Sequence, residues 1–179
     1  MLRIEIPATE LYDEEKEEFI TIKKTSLRLE HSLVSVSKWE MKWKKPFLDK
    51  NTKLTTKQSL DYLRCMTLDQ NVDPMVYYGV NSEIMEQVNE YIGSELTATW
   101  FSNTERPSNE VVTSELIYYM MVAYNIPWEA QKWHLSRLLT LIRICNVKNA
   151  PPKKMSKNEI LRRNRELNEQ RRKRLHSKG

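Results

Sequence analysis

Leu2, Ile4 and Ile6 alternate with polar residues until Pro7, and Phe19-Ile20-Thr21-Ile22 followed by Leu27-Arg28-Leu29 repeats the same period of two. An inward side chain at every second residue marks a half-buried strand, so this pattern predicts two or three short strands within about residues 1–31. Between them Asp13-Glu14-Glu15-Lys16-Glu17-Glu18 is too polar for a core and reads as a solvated turn or strand edge. From Ser32 the period lengthens. Val36, Trp39 and Trp43 recur at i, i+3 and i+7 with Lys38, Lys42 and Lys45 on other faces, which predicts a helix stopped by Pro46.

Helical signals then accumulate. Thr55-x-x-Gln58 is a capping box ahead of Leu60, Leu63 and Met66. Asp73-Pro74 reads as a helix start, with Asp73 capping and Pro74 in the first turn. Ser82 opens a helix carrying Ile84, Met85, Val88, Tyr91 and Ile92, closed by Gly93 as a C-terminal cap. Residues 97–107 predict a loop or one short strand. Ser108 caps the next helix, whose apolar side is Val112, Leu116, Tyr119, Met120 and Ala123. A further helix runs from Pro127 to Cys145, with Glu129, Lys132, Ser136, Thr140 and Arg143 as its only polar stripe, so it is central to a core or used as an interface. After Pro151-Pro152, Ser156-x-x-Glu159 is a second capping box, opening a helix from Lys157 to about His176 with a thin stripe of Ile160, Leu161, Leu167 and Leu175.

The expected fold is therefore mainly α, with five to six helices, a small N-terminal antiparallel β element and a basic C-terminal helical arm. Residues 1–150 form the body and residues 151–179 a Pro-Pro linker and basic helix. Charge sharpens this division: residues 151–179 hold eleven Lys and Arg against three Glu, while residues 1–150 hold eighteen against twenty-one acids. The net charge of +5 is a property of the arm. Arg162, Arg163, Arg165, Arg171, Arg172, Lys173 and Arg174 suit either phosphates or an acidic protein surface. The arm lacks aromatic residues, which disfavours single-strand recognition by base stacking and places nucleic acid behind protein as a partner. The chain carries its own acidic surface in Asp13, Glu14, Glu15, Glu17 and Glu18, so self-association head to tail is expected.

Chemistry is sparse. The three histidines, His31, His134 and His176, lack metal-ligand spacing, and His134 reads as a structurally satisfied imidazole. Cys65 and Cys145 sit in apolar helical contexts and read as buried thiols rather than a disulfide. Gly79, Gly93 and Gly179 are too few for a phosphate-cradling loop. Asp69-x-Asn71-x-Asp73 begins like a calcium loop, yet Pro74 replaces the turn glycine and Val80 the bidentate Glu. No enzyme, metal or cofactor is expected. No apolar run is long enough to span a bilayer and no secretory leader opens the chain, so a cytosolic protein without membrane attachment is expected.

Longer strings carry a resemblance. Residues 132–146 (KWHLSRLLTLIRICN), 148–157 (KNAPPKKMSK) and 163–168 (RNRELN), together with 29–40 (LEHSLVSVSKWE) and 71–74 (NVDP), resemble proteins encoded in the tail modules of long-tailed, siphovirus-type bacteriophages. That resemblance implies a tail assembly chaperone, a non-enzymatic helical protein that coats the tape-measure protein in the host cell cytoplasm while tail subunits polymerise. It brings no catalytic residues, and it raises a longer frameshifted product read through a slippery run at Lys153-Lys154. Such a chaperone needs exposed apolar and aromatic surface with charged flanks. Trp39, Trp43, Tyr118, Tyr119 and Met121 are the candidates beside the basic arm, with core packing the alternative for each. A structural virion or head-tail connector protein, and a nucleic-acid-binding module using the arm, are the competing roles.

Overall fold

The structure is a computed structural model that describes residues 1–13, 17–49, 51–99, 101, 111–150 and 157–175, apart from the side chains of Asp13 and Glu18. The described residues are mainly helical, with a small antiparallel β element at the N-terminus. Contacts divide the chain into Met1–Cys145 and Asn146–Gly179.

Strand β1 (Leu2–Ile6) pairs antiparallel with β4 (Thr25–Leu29), setting Leu2 opposite Leu29 and Ile6 opposite Thr25. Alternation then sends Ile4, Ile6, Leu27 and Leu29 inward, where all four are buried. A second ribbon, β2 (Thr9–Asp13) with β3 (Glu18–Ile22), is inserted between them. Four strands thus replace the two or three expected. The extra one, Thr9-Glu10-Leu11-Tyr12-Asp13, turns Leu11 toward the core and leaves Tyr12 outside, so it lacks an apolar alternation that would announce it.

Helix α1 (Leu33–Trp43) starts on Ser32, whose hydroxyl accepts from the Ser35 N–H while Ser35 Oγ accepts from the Ser32 N–H. It ends at Trp43, three residues before Pro46, and the C-cap Lys44 turns left-handed at φ 54° while its N–H donates to the Glu40 carbonyl. Helix α2 (Thr56–Met66) carries the Thr55–Gln58 capping box expected from the sequence. Asp73 caps a short 3-10 turn, Pro74–Gly79, with Pro74 at its start. Gly79 is required there: a Cβ would stand 2.9 Å from Cγ2 of Ile6.

Some later boundaries depart from expectation. Helix α3 (Ser82–Gly93) opens at Ser82 as the sequence indicates and is capped by Asn81, whose amide oxygen accepts from the Ile84 N–H. Gly93 is its last residue and the extended Ser94 is the cap, so no left-handed glycine closes it. Helix α4 (Ser114–Ala123) begins on Thr113 and Val112 precedes it; the Ser108 cap expected from the sequence lies outside the described residues. The single helix expected over Pro127–Cys145 is two elements, a 3-10 turn at Trp128–Lys132 and α5 (Leu135–Asn149). The Leu135 N–H donates at 2.7 Å to the carbonyl of His31, not to the preceding turn, and His134 bridges Ser32. That tertiary bond breaks the helix and divides the polar stripe. α5 buries one face, Leu135, Leu138 and Ile142, while Leu139 is exposed.

In the second unit α6 (Lys157–Leu175) begins where the sequence places it, although Ser156 and His176 lie outside the described residues. None of its residues is buried.

The core of the first unit joins both layers through Ile4, Ile6, Leu29, Leu33, Trp39, Leu63, Ile117 and Leu138. Each large aliphatic side chain so buried stabilises by about 1.5 to 3 kcal/mol. One buried carboxylate crosses this region. Glu40 accepts from the Phe47 N–H at 2.8 Å, from the Ser114 N–H at 2.8 Å and from the Ser114 hydroxyl. Glu40→Ala leaves the buried Ser114 N–H and the half-buried Phe47 N–H without acceptors, and the expected loss is on the order of 3 kcal/mol in urea unfolding. Thr55→Ala, which removes one exposed cap, is expected to cost about 1 kcal/mol; equal losses in the two variants would contradict the role of Glu40.

Candidate interaction surfaces

Helix α4 reads Ser-Glu-Leu-Ile-Tyr-Tyr-Met-Met-Val-Ala, apolar on nearly every side. Ser114, Ile117 and Met121 face inward, and the Glu40 bonds at Ser114 set that orientation. Tyr119 and Val122, one turn apart, are therefore turned outward and are 68% and 61% exposed. Trp128 in the following 3-10 turn is 54% exposed and lies 5.7 Å from the ring of Tyr118, whose hydroxyl donates to Oε1 of Gln131. Tyr119 and Val122 make an uncovered aromatic and aliphatic face on α4, and Trp128 is an exposed ring beside the half-buried Tyr118.

The sequence-predicted residues separate accordingly. Tyr119 is exposed on this face, whereas Tyr118 is half-buried and packs against the core. Met121 and Trp39 are corrections: both are sealed in the core, and Trp39 Nε1 donates to the Gln58 carbonyl, so neither is presented to a partner. Trp43 is half-buried and committed to α2, donating through Nε1 to Asp61 at 2.9 Å. Burial alone would raise the Asp61 carboxyl, but Lys42, Trp43 and Arg64 together hold it below the usual carboxylate range. Trp128, Val122, Tyr12 and Phe19 are surface residues that periodicity did not single out; exposed bulky groups inside an apolar run carry no sequence mark.

On the ribbon, Tyr12 and Phe19 are directly paired across the strands with ring centroids 5.1 Å apart, on the face turned away from Leu11. Of the acidic residues, Glu17 stands exposed in the turn at φ 53°, Asp13 and Glu18 are strand ends, and Glu14 and Glu15 lie outside the described residues. In α6, Arg162, Arg163, Arg165, Arg171, Arg172, Lys173 and Arg174 are all exposed. Arg162 Nε lies 3.3 Å from Oε1 of Glu166, an open surface pair of little energetic weight.

Other features have their polar groups already committed. An open cleft of about 500 Å³ beside β3 includes Asp69 and Asp73, but Asp69 accepts from Arg28 through backbone and side chain and Asp73 caps Met75. Cys65 and Cys145 are free and half-buried, less enclosed than expected. Among the described residues no cluster of His, Cys, Asp and Glu could hold a metal ion, and no helix is long and apolar enough to cross a membrane.

Two imidazoles lie inside. His31 and His134 are buried with ring centroids 5.3 Å apart. His31 Nδ1 is hydrogen-bonded to the Tyr62 hydroxyl, which burial keeps protonated well above the usual phenol range. His134 donates from Nε2 to the Tyr91 carbonyl, and its Nδ1 accepts from the Ser136 N–H at 3.3 Å. Glu30 lies near, bonded to the Tyr91 hydroxyl and paired with the N-terminal amine at 2.9 Å. Burial first, then the His134 neighbour, lowers His31 to about 4, and burial also lowers His134.

The unfolded chain takes up the His31 proton near pH 6.5, whereas the native state resists it until about 4. The stabilising effect is therefore complete above pH 6.5 and lost progressively as pH falls toward 4. Urea unfolding across that window is expected to lose on the order of 2 to 4 kcal/mol from this group. His31→Gln flattens the slope; an unchanged slope would contradict the assignment. Comparison of the chain with family models, with curated proteins and with solved structures found no match.

Proposed function

We propose that the chain is a tail assembly chaperone of a long-tailed bacteriophage, a non-enzymatic protein that binds the tape-measure protein in the host cytoplasm during tail morphogenesis. The observation that carries this reading is the uncovered surface of Tyr119, Val122 and Trp128. A long helical client awaiting enclosure exposes amphipathic faces, and an exposed surface of aromatic and aliphatic groups covers them without chemistry. Tyr and Trp suit such a face, since they contribute large contact area and carry most of the energy at protein interfaces. The resemblance of residues 29–40, 71–74, 132–146, 148–157 and 163–168 to phage tail-module proteins supports the same role. The inward turn of Ser114, Ile117 and Met121 is what leaves these side chains free for a client.

A specific observation favours one alternative. Helix α6 carries eight Lys and Arg against three Glu, with every residue exposed, as duplex DNA binding through phosphates would require. Under that alternative a duplex is retarded strongly at low salt and lost steeply as salt rises.

Co-expression with the tape-measure protein of the same phage tests the proposal. The wild-type chain is expected to keep that protein soluble and to co-purify with it, and to be absent from finished virions. Tyr119→Asp and Trp128→Ser, both at exposed positions, are expected to reduce recovery of the complex about tenfold or more while melting like wild type. An insoluble client beside well-folded wild-type protein would overturn the reading, and presence of the chain in virions would assign it to the structural alternative.

A further inference from the structure

The ribbon of β2 and β3 has a finished inner side and an unfinished outer one. Inward, Leu11 packs on the core and Ile22 is buried. Outward, Phe19 is 72% and Tyr12 54% exposed, and their contact is with each other. A two-stranded ribbon gains little stability alone, so an uncovered aromatic pair on it is costly to keep unless something covers it. Glu10 shares the Tyr12 face two residues away, and Glu17 stands at the turn; both are exposed. The complement to this surface is an apolar stripe bordered by cations.

The chain carries such a stripe. At 100° per residue Ile160, Leu161, Leu167 and Leu175 of α6 fall within an arc of about 120°, which they share with Lys157, Asn164, Asn168 and Arg171. Arg165 and Arg172 border it on one side and Arg174 on the other. All four apolar side chains are exposed. A helix of this composition does not owe its order to propensity alone; it is stabilised when its apolar arc is covered.

We infer that α6 of one copy docks across the Tyr12–Phe19 face of a second copy, with the arginines beside its stripe meeting Glu10 and Glu17. The contact joins two different patches, so each added copy offers a free ribbon at one end and a free helix at the other, and the assembly grows head to tail. The ribbon spans about 17 Å and the helix about 28 Å, so the contact is small. Its dissociation constant is expected to be on the order of micromolar or weaker, and sensitive to salt. Acidic residues alone do not define this surface: the anchor is the aromatic pair, and the acids select the sign of what reaches it. The inference stands without the client reading, since a monomer that still solubilised its client would end this one and leave that one intact.

Sedimentation velocity on the full chain tests it with two variants, Phe19→Ser and Leu167→Ser, both at exposed positions and checked by thermal melting. Wild type is expected to shift to larger species as concentration rises and back to monomer in high salt. Each variant alone is expected to lose association about tenfold or more. Mixing the two restores one good contact, from the helix of the Phe19→Ser chain to the ribbon of the Leu167→Ser chain, so a species of twice the monomer mass is expected in the mixture and in neither variant by itself. A monomeric wild type at every concentration overturns the inference, as does a mixture that stays monomeric, which would mean docking within one chain or a symmetric contact. Undiminished association of Phe19→Ser overturns it too, by placing the contact on α6 alone.

Discussion

Glu40 lies in the last turns of α1, and its two oxygens reach in different directions, one to the Phe47 N–H and the other to the N–H and hydroxyl of Ser114. A carboxylate held below a tenth exposed is tolerable only when its lone pairs are filled, and here three donors from two separate segments fill them. The placement also sets a negative charge at the N-terminus of α4, where the helix dipole favours it. Trp39, one residue earlier, is fully buried and bonded to the Gln58 carbonyl, so α1 is held to α2 and α4 by adjacent residues. The rotation of α4 follows from this. With Ser114 fixed inward, Ile117 and Met121 enter the core and Tyr119 and Val122 are left outside.

The same dependence explains what the sequence disclosed and what it withheld. Local chemistry was legible wherever a few neighbouring residues decide the outcome: the Thr55–Gln58 box, Asp73 before Pro74, and the alternation that buries Ile4, Ile6, Leu27 and Leu29. It was not legible where a distant partner decides. Helix α4 is apolar all round, so no periodicity names its inner face, and Tyr119, readable as core or as contact from the sequence, is turned outward once Glu40 fixes Ser114 inward. The run from Pro127 to Cys145 has continuous helical character, yet the His31 carbonyl, more than a hundred residues away in sequence, captures the Leu135 N–H and ends that continuity. Among the candidate binding residues Tyr119 is exposed and Tyr118 half-buried against the core, whereas Trp39 and Met121 proved to be core, the usual fate of a large apolar residue on a helical stripe.

What emerges is a division of labour between interior and surface. Several polar groups inside are paired, as in Glu40 with Ser114, His134 with Tyr91 and Ser136, and Asp61 with Lys42 and Trp43, whereas Arg64 Nε is buried without a hydrogen-bond partner. The uncovered groups are aromatic and aliphatic on the α4 face and on the ribbon, and cationic on α6. That distribution suits the proposed role of covering a client, with the α4 face proposed for the client and the ribbon and helix proposed for self-association.

Hydrogen exchange read by mass spectrometry on the full chain, alone and with the tape-measure protein, tests this division most directly. The account predicts that α1 and α2 are strongly protected in both states and that added protection on binding concentrates in residues 114–132. Exchange in that segment left unchanged by a bound client would contradict it.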